Sequence, residues 1–594
     1  MRVPDDFPTP RPGTVRLGIC LSGGGFRASF FHIGVLAQLA ERGVLRKIEV
    51  ISTVSGGSII GALYYLHVKK LLERKRDQDI TDQDFLDLVT QIEREFLVAV
   101  QQNLVMRTFL DPIKTMRMAL PSYSRSDRLG ELYDELFYRP VFGGDRPVRM
   151  RDTLIQPLGA PEDFYLGTMN ADRATPVPML QINATTLSTG RCWRFGAHRM
   201  GEPPATDTVS AEIDKRTRLR RAPSYTDLPQ RLADLPLGVA VAASAGVPGL
   251  LPPLPIADLY GGDVQVQLVD GGVFDNLGIS TLFDRHCNHV IVSDASAQMS
   301  FEASPSDMEL LVLARTNEIL MDRVRELMLG EVLRAKLVPI GLMHLRKGLD
   351  AQAIACPLHP VHDETRRERA SDCLPEDFGV DGRVQDALSR VRTDLDSFTH
   401  VEAQSLMLDG FLIAGHVLDN TPELGALGTP MPVCPPFAFE ALRPWMTAPT
   451  DEFLGQLRVA QQPLFKYFRL VPRARVLALF GTFLAVLALG VVVAPAVRDA
   501  LVMQITVWTI LALVALPVLI VMADVVAARS REARESLKPM VLVRTFTLQA
   551  VLGAIGSLLI RLHLRFINRA FLAIGHTGIL TPPGPRKGSE GSPR

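Results

Sequence analysis

Two strand–glycine turn–helix units stand back to back near the start of the chain, and no other feature limits its fold as much. TVRLGICL (14–21) is apolar and β-rich, SGGG follows, and Phe30, Phe31, Val35, Leu36 and Leu39 then mark the apolar face of a helix. The pattern repeats in KIEVISTV (47–54), the turn Ser55-Gly56-Gly57, and SIIGALYYLHVKKLLERK, whose basic end suits a helix C-terminus. Tandem βα units predict an α/β fold with a parallel sheet between helical layers. Further strands are expected at 179–187, 265–272 and 289–296, helices over most of 82–140, 306–340 and 383–418, and a polar loop over 200–235. With 594 residues, 47% of them hydrophobic and 22% charged, the chain can bury a sizeable core, so disordered, collagen-like and coiled-coil classes are excluded.

The turns carry the candidate chemistry. In Ser22-Gly23-Gly24-Gly25-Phe26-Arg27, unshielded backbone N–H groups and a helix N-terminus can point at one negative charge, as an oxyanion hole or a phosphate cradle requires. No GK[ST] is present, so this is not a P-loop. Gly23-x-Gly25-x-x-Ala28 fits the looser dinucleotide fingerprint, but the acid needed at the end of the next strand is absent: Glu49 lies near its start and Ser55 occupies its end. Ser55 sits where a strained elbow would expose a nucleophilic hydroxyl, with Thr53 in place of the first glycine of G-x-S-x-G; a helix-capping serine is the plain alternative. Asp270 ends a strand and is followed by Gly271 and Gly272, a place for a general base or for an ordinary Asp-Gly turn.

The SGGGFR turn, an elbow serine about 30 residues later, AVAASAGVPGLLPPL (240–254) and VDGGVFDN (269–276) together resemble the patatin-like phospholipase family over roughly residues 14–300. RTDLDSFTHVEAQSLMLDGF (392–411) is similar to the C-terminal helices of its bacterial members. The resemblance implies a three-layer α/β/α catalytic domain and a Ser–Asp dyad without histidine, Ser55 as nucleophile and Asp270 as base. It also implies an oxyanion hole from the Gly24 and Gly25 amides with Gly23 and Arg27 nearby, and Gly57, Gly271 and Gly272 shaping the elbow and the DGG motif. The implied activity is that of a phospholipase A or lysophospholipase acting on membrane lipids, with no metal or other cofactor. A transacylase using the same dyad, and a non-catalytic membrane scaffold, are the alternatives.

Beyond residue 465 the chain changes character. Residues 476–497 and 500–523 are uncharged runs of 22 and 24 residues separated by Arg498-Asp499, each long enough to cross a bilayer core of about 30 Å. Lys466, Arg469, Arg473 and Arg475 precede the pair, and Arg529, Arg531, Arg534 and Lys538 follow it, so the spacing predicts a transmembrane helical hairpin with both flanks cytosolic. Arg561, Arg565 and Arg569, at i, i+4 and i+8, suit an interfacial helix over 540–571, with a third span as the alternative. The formal net charge is zero, but residues 466–594 hold 16 basic against 5 acidic residues, leaving 48 against 59 for residues 1–465. The expected organisation is a catalytic domain over 1–300, a helical extension over 301–420, a proline-rich linker over 421–465 and a membrane region over 466–594. The expected location is a bacterial inner membrane, with the catalytic part and both termini cytosolic. MRVPDDFPTPRPG, with two acids and four prolines, is not a signal peptide in composition.

Other candidates carry bland readings. The balanced charge gives no whole-chain case for nucleic acid, and six scattered cysteines without CxxC fit a reducing compartment. His32 is expected to be a core residue rather than a triad member. Cys356-x-x-His359-x-x-His362 with Cys373 has zinc-capable residue types but the spacing of no standard finger. The basic run 214–221 reads as a solvated loop. Met106, Phe109, Leu110, Met116, Met118 and Leu120, interleaved with Arg107, Lys114 and Arg117, suit either a lid or interfacial surface or helix-core packing.

Overall fold

The computed structural model describes residues 13–118, 123–203, 224–260, 264–296, 301–336, 338–349, 378–431, 436–462, 466–471 and 556–583, with the single positions 219, 299 and 473. The two uncharged runs 476–497 and 500–523, residues 540–555, the Cys356 to Cys373 cluster and nearly all of 214–221 lie outside these residues. Among the described residues, no helix is long and apolar enough to cross a membrane.

Both predicted βα units are present: β1 (Leu17–Leu21), α1 (Gly25–Glu41), β2 (Ile48–Val54) and α2 (Gly56–Arg74). Then come α3 (Asp82–Val100), α4 (Leu104–Thr108), α5 (Pro112–Arg117), β3 (Met179–Thr186), β4 (Cys192–Phe195) and β5 (Met200–Gly201). They are followed by α6 (Leu237–Ser244), β6 (Leu254–Ile256), β7 (Val266–Asp270), β8 (His289–Asp294), α7 (Glu309–Ala335), β9 (Ile340–His344), α8 (His400–Asp419) and a C-terminal helix α9 over 556–574. The sheet order is β5-β4-β3-β2-β1-β8-β9, with β7 on β3 and β6 on β7.

Strands β3, β2, β1, β8 and β9 run parallel, as the tandem units predict. The sheet is mixed, however, because β4, β5, β6 and β7 are antiparallel. The physical reason is connection length: five residues join β3 to β4, enough for a hairpin and far too few for a crossover helix.

Two expected helices are interrupted. The stretch 306–340 yields α7, which ends at Lys336 in the left-handed region before Pro339, and β9 then pairs with β8. The stretch 383–418 contains two helices, because Thr399 and Glu402 form a capping box that starts α8 afresh. The proline-rich stretch packs on α8, where Phe437 and Phe439 stack at 5.2 Å beside Phe411.

α1 is buried on every side rather than along one face, from Phe26 through Ala40. α2, α3 and α8 surround it, and a helix enclosed in this way needs apolar side chains all round. Its crossing with α8 is a backbone contact: a Cβ on Gly34 would overlap the Met407 carbonyl, and one on Gly410 would overlap the Phe31 carbonyl. Gly34→Ala and Gly410→Ala are each expected to lower stability by roughly 1–3 kcal/mol, read as a fall in the urea midpoint at unchanged m-value.

Candidate active site

Strand register brings the candidate residues together. β2 pairs with β3 from Met179 to Asn183, whereas β7 pairs with β3 from Ala184 to Thr186. β4 overlaps both ranges, so it occupies the opposite edge of β3. β2 and β7 therefore share one edge and meet head-on, with Ser55 just past the end of β2 and Asp270 at the end of β7.

Ser55 has φ 51° and ψ −119°, a backbone conformation costly for a residue with a side chain and characteristic of a strained elbow. Its amide donates to Ser244 Oγ at 2.9 Å, and the Ser244 hydroxyl donates to the Asn183 carbonyl at 2.6 Å. Ser58 Oγ completes the bracket, 2.9 Å from Thr53 Oγ1 and 2.8 Å from Ser244 Oγ. Close approach is arranged by glycines on α2. A Cβ on Gly57 would overlap the Leu21 carbonyl, one on Gly56 the Gly25 carbonyl, and one on Gly61 would come within 2.5 Å of Thr53 Cγ2. Gly61 thus makes the room that Thr53 takes at the first position of the elbow.

Asp270 is buried. Its Oδ1 accepts from the Gly272 amide at 2.7 Å, its backbone carbonyl accepts from Thr185 Oγ1 at 2.9 Å, and the nearby Ser55 hydroxyl favours its ionised form. Burial pushes the carboxyl up to about 6, against the opposing pull of the Gly272 amide and the Ser55 hydroxyl. Gly271 lies against the Asn183 carbonyl, where a Cβ would overlap.

The four residues of the glycine turn divide. The Gly23 amide donates to the Asn276 carbonyl at 3.1 Å, so it is engaged within the fold. Gly24 and Gly25 have φ 136° and 56°, open to glycine, and no protein acceptor for their amides is found among the described residues. The Arg27 guanidinium is buried and committed to carbonyls, at 3.0 Å from Val391 and 2.8 Å from Ala295. Burial lowers it to about 10, with Asp294 opposing. Arg27 therefore ties the start of α1 to the 389–391 segment. A Cβ on Gly25 would overlap the Thr393 carbonyl, so that segment lines the turn.

His32 is a core residue. Its Nε2 faces the Ser22 carbonyl at 3.0 Å and its Nδ1 lies 2.7 Å from Ser293 Oγ. Burial pushes it down to about 4, so the ring is neutral, and the carbonyl contact makes Nε2 the protonated nitrogen. Among the described residues, no group of three or more His, Cys, Asp or Glu side chains could hold a metal ion.

Sequence reasoning passed over Ser244 and Asn276. Ser244 lies in a motif already singled out, AVAASAG, but its partner Asn183 is 61 residues away. Asn276 Oδ1 sits where a Cβ on Gly23 or Gly272 would fall, so it keys the glycine turn to the DGG turn. The glycines at both positions were the available signal.

Residues 19–283 match the family model described as Patatin-like phospholipase. Human GIVD cytosolic phospholipase A2, solved with methyl gamma-linolenyl fluorophosphonate inhibitor and terbium chloride, is 13% identical over 70% of this chain and 60% of its own, at a TM-score of 0.35. The same human enzyme without that inhibitor gives 12% identity over the same shares, at 0.31. VipD from Legionella pneumophila is 13% identical over 95% of this chain and 88% of its own, at 0.25. The chain thus spans about 60% of the length of the human phospholipase it matches. No curated protein matches it significantly. The segment that matches the patatin-like phospholipase model holds both βα turns, the Ser55 elbow and the strand end bearing Asp270.

Proposed function

We propose that the protein is a membrane-anchored serine acyl hydrolase of the phospholipase A or lysophospholipase type, working through a Ser55–Asp270 dyad. One observation carries this reading: a serine on a strained elbow stands beside a buried carboxyl pushed up to about 6, close enough to favour its ionised form. Ser55 Oγ attacks the acyl carbonyl carbon of the lipid ester as Asp270 takes the hydroxyl proton. The Gly24 and Gly25 amides, at the N-terminus of α1, stabilise the oxyanion; one such donor is worth roughly 10²–10³ in rate. The intermediate collapses, Asp270 returns the proton to the leaving alkoxide, and a lysolipid or a deacylated lipid departs. Water then attacks the acyl-Ser55 ester with Asp270 again accepting the proton, which it returns to Ser55 Oγ as the fatty acid leaves. Residues 476–523 anchor the chain as a hairpin with the catalytic part cytosolic, an arrangement supported by the basic flanks and the absence of charge within each run.

Ser55→Ala should lower kcat on p-nitrophenyl and phospholipid esters by at least roughly 10³-fold. Asp270→Asn should lose activity comparably while keeping the fold; equal, low activity of wild type and both variants on every ester would sink the hydrolase.

The pH dependence has a definite sign. Only ionised Asp270 accepts the proton, so kcat/KM should rise with pH through about 6 and then level off. The carboxyl is more easily protonated folded than unfolded, so its contribution to stability is present below about pH 4 and lost as pH rises through about 6. Asp270→Asn should therefore be more stable than wild type at pH 8, by roughly 1–3 kcal/mol, with the difference vanishing at pH 4. Thermal melts at the two values decide it.

The hairpin predicts that a cysteine introduced by Arg498→Cys is labelled only from the non-cytosolic side of sealed vesicles. Labelling from the cytosolic side would overturn the topology.

A further inference from the structure

The helix Lys466–Leu470, which precedes the first uncharged run in the sequence, packs beside the C-terminal part of α9. Lys466 Nζ is 2.5 Å from Asp396 and stands 4.6 Å over the ring of Phe571 in α9.

α9 is tied down by its inner face. Ser557 Oγ donates to the Leu110 carbonyl at 2.7 Å, and Asn568 Nδ2 donates to the Gln101 carbonyl at 3.2 Å. Its outer face is apolar and exposed: Leu558, Leu559, Leu562 and Phe566, the last 61% accessible. Arg561, Arg565 and Arg569 are exposed on the same helix, and none pairs with a carboxylate among the described residues. The Ser557 bond sets this helix beside the connection between α4 and α5, where Ile113 is 71% accessible and Arg117 is exposed. An exposed apolar face, fringed with arginines that meet no carboxylate among the described residues, is suited to an interface.

We infer that α9 and the α4–α5 segment together form a platform that seats the catalytic body on an anionic phospholipid bilayer, with leucine, isoleucine and phenylalanine side chains in the headgroup–acyl boundary and the arginines on lipid phosphates. The inference rests on the membrane anchoring proposed above and adds an orientation to it. Charge complementarity selects an anionic lipid surface over a second copy of the chain, whose matching face carries the same arginines. The platform also adjoins the catalytic centre. The Gln101 carbonyl that holds Asn568 also accepts from Ser397 Oγ, and the segment from Thr393 to Ser397 runs to the glycine turn. A body seated this way draws its substrate from the surface it rests on.

The test is photocrosslinking of the full chain in nanodiscs. p-Benzoylphenylalanine replaces Phe566 or Ile113, and a control replaces Leu158, an exposed residue bonded to the far end of α2. The Ser55→Ala background keeps the lipid intact, and adducts are scored by mass. In discs containing phosphatidylglycerol, lipid adducts are expected at 566 and 113 and not at 158. Their yield should fall roughly tenfold in phosphatidylcholine discs and in the Arg561→Gln, Arg565→Gln, Arg569→Gln triple variant. The same triple variant in a Ser55 background should hydrolyse a soluble ester at the wild-type rate, which reports that it folds. Equal yields at 158, no adducts at 566 and 113, or yields indifferent to the arginines would each overturn the platform. Adducts at 566 and 113 alongside an inactive wild type would instead refute the hydrolase and leave the platform standing.

Discussion

Each residue on one edge of a β-strand can pair with one neighbour, and the candidate site depends on how the edge of β3 is shared. β2 occupies it up to Asn183 and β7 takes it from Ala184. Two strands that meet head-on must both turn out of the sheet at the junction, and the residues at the turns, Ser55 and Asp270, are thrown together. Crowding at such a junction explains the glycines. Gly56 lies against the Gly25 carbonyl, Gly57 against that of Leu21 and Gly271 against that of Asn183, each where a Cβ would overlap backbone. Backbone cannot be pushed aside as a side chain can, so these positions tolerate no larger residue.

The junction is polar and buried, which would be costly if its groups lacked partners. Ser244 resolves most of this by accepting from the Ser55 amide, donating to the Asn183 carbonyl and contacting Ser58. Asn183 serves on the other side, with its amide on Ser52 Oγ and Thr53 O and its Oδ1 accepting from Thr281. Asp270 is the group for which burial outweighs the hydrogen bonds it receives. His32 is neutral and fully bonded and Arg27 is committed to carbonyls, so both serve the fold around that carboxyl.

Much of the site was legible because it is built from local turns. A strand running into SGGG or SGGS and then into an apolar helix dictates its own geometry, so Gly24, Gly25 and Ser55 can be named from a window of a few residues. Asp270 was visible as a strand end before two glycines. The partners across the junction were not, because Ser244, Asn276 and Thr393 act from 189 to 338 residues away from Ser55 in the chain. Periodicity also understated α1: five residues mark its apolar face, but α2, α3 and α8 enclose it and the whole helix is interior. The roles of Gly23 and Arg27 divide from those of Gly24 and Gly25 for the same reason. Their hydrogen-bond partners, Asn276, Val391 and Ala295, come from distant strands and loops.

By itself, the sequence determined the two βα units, the glycine turns at their joints, the elbow serine, the DGG strand end and the segregation of positive charge toward the C-terminal region. All of these follow from backbone sterics, side-chain period and composition, which act within a few residues. Only the tertiary structure decided that β7 shares an edge with β2, that Arg27 and the Gly23 amide are engaged within the fold, and that α9 returns beside α4 and α5. Those outcomes depend on which distant segment reaches a strand edge or a buried carbonyl first, and no local pattern encodes that competition.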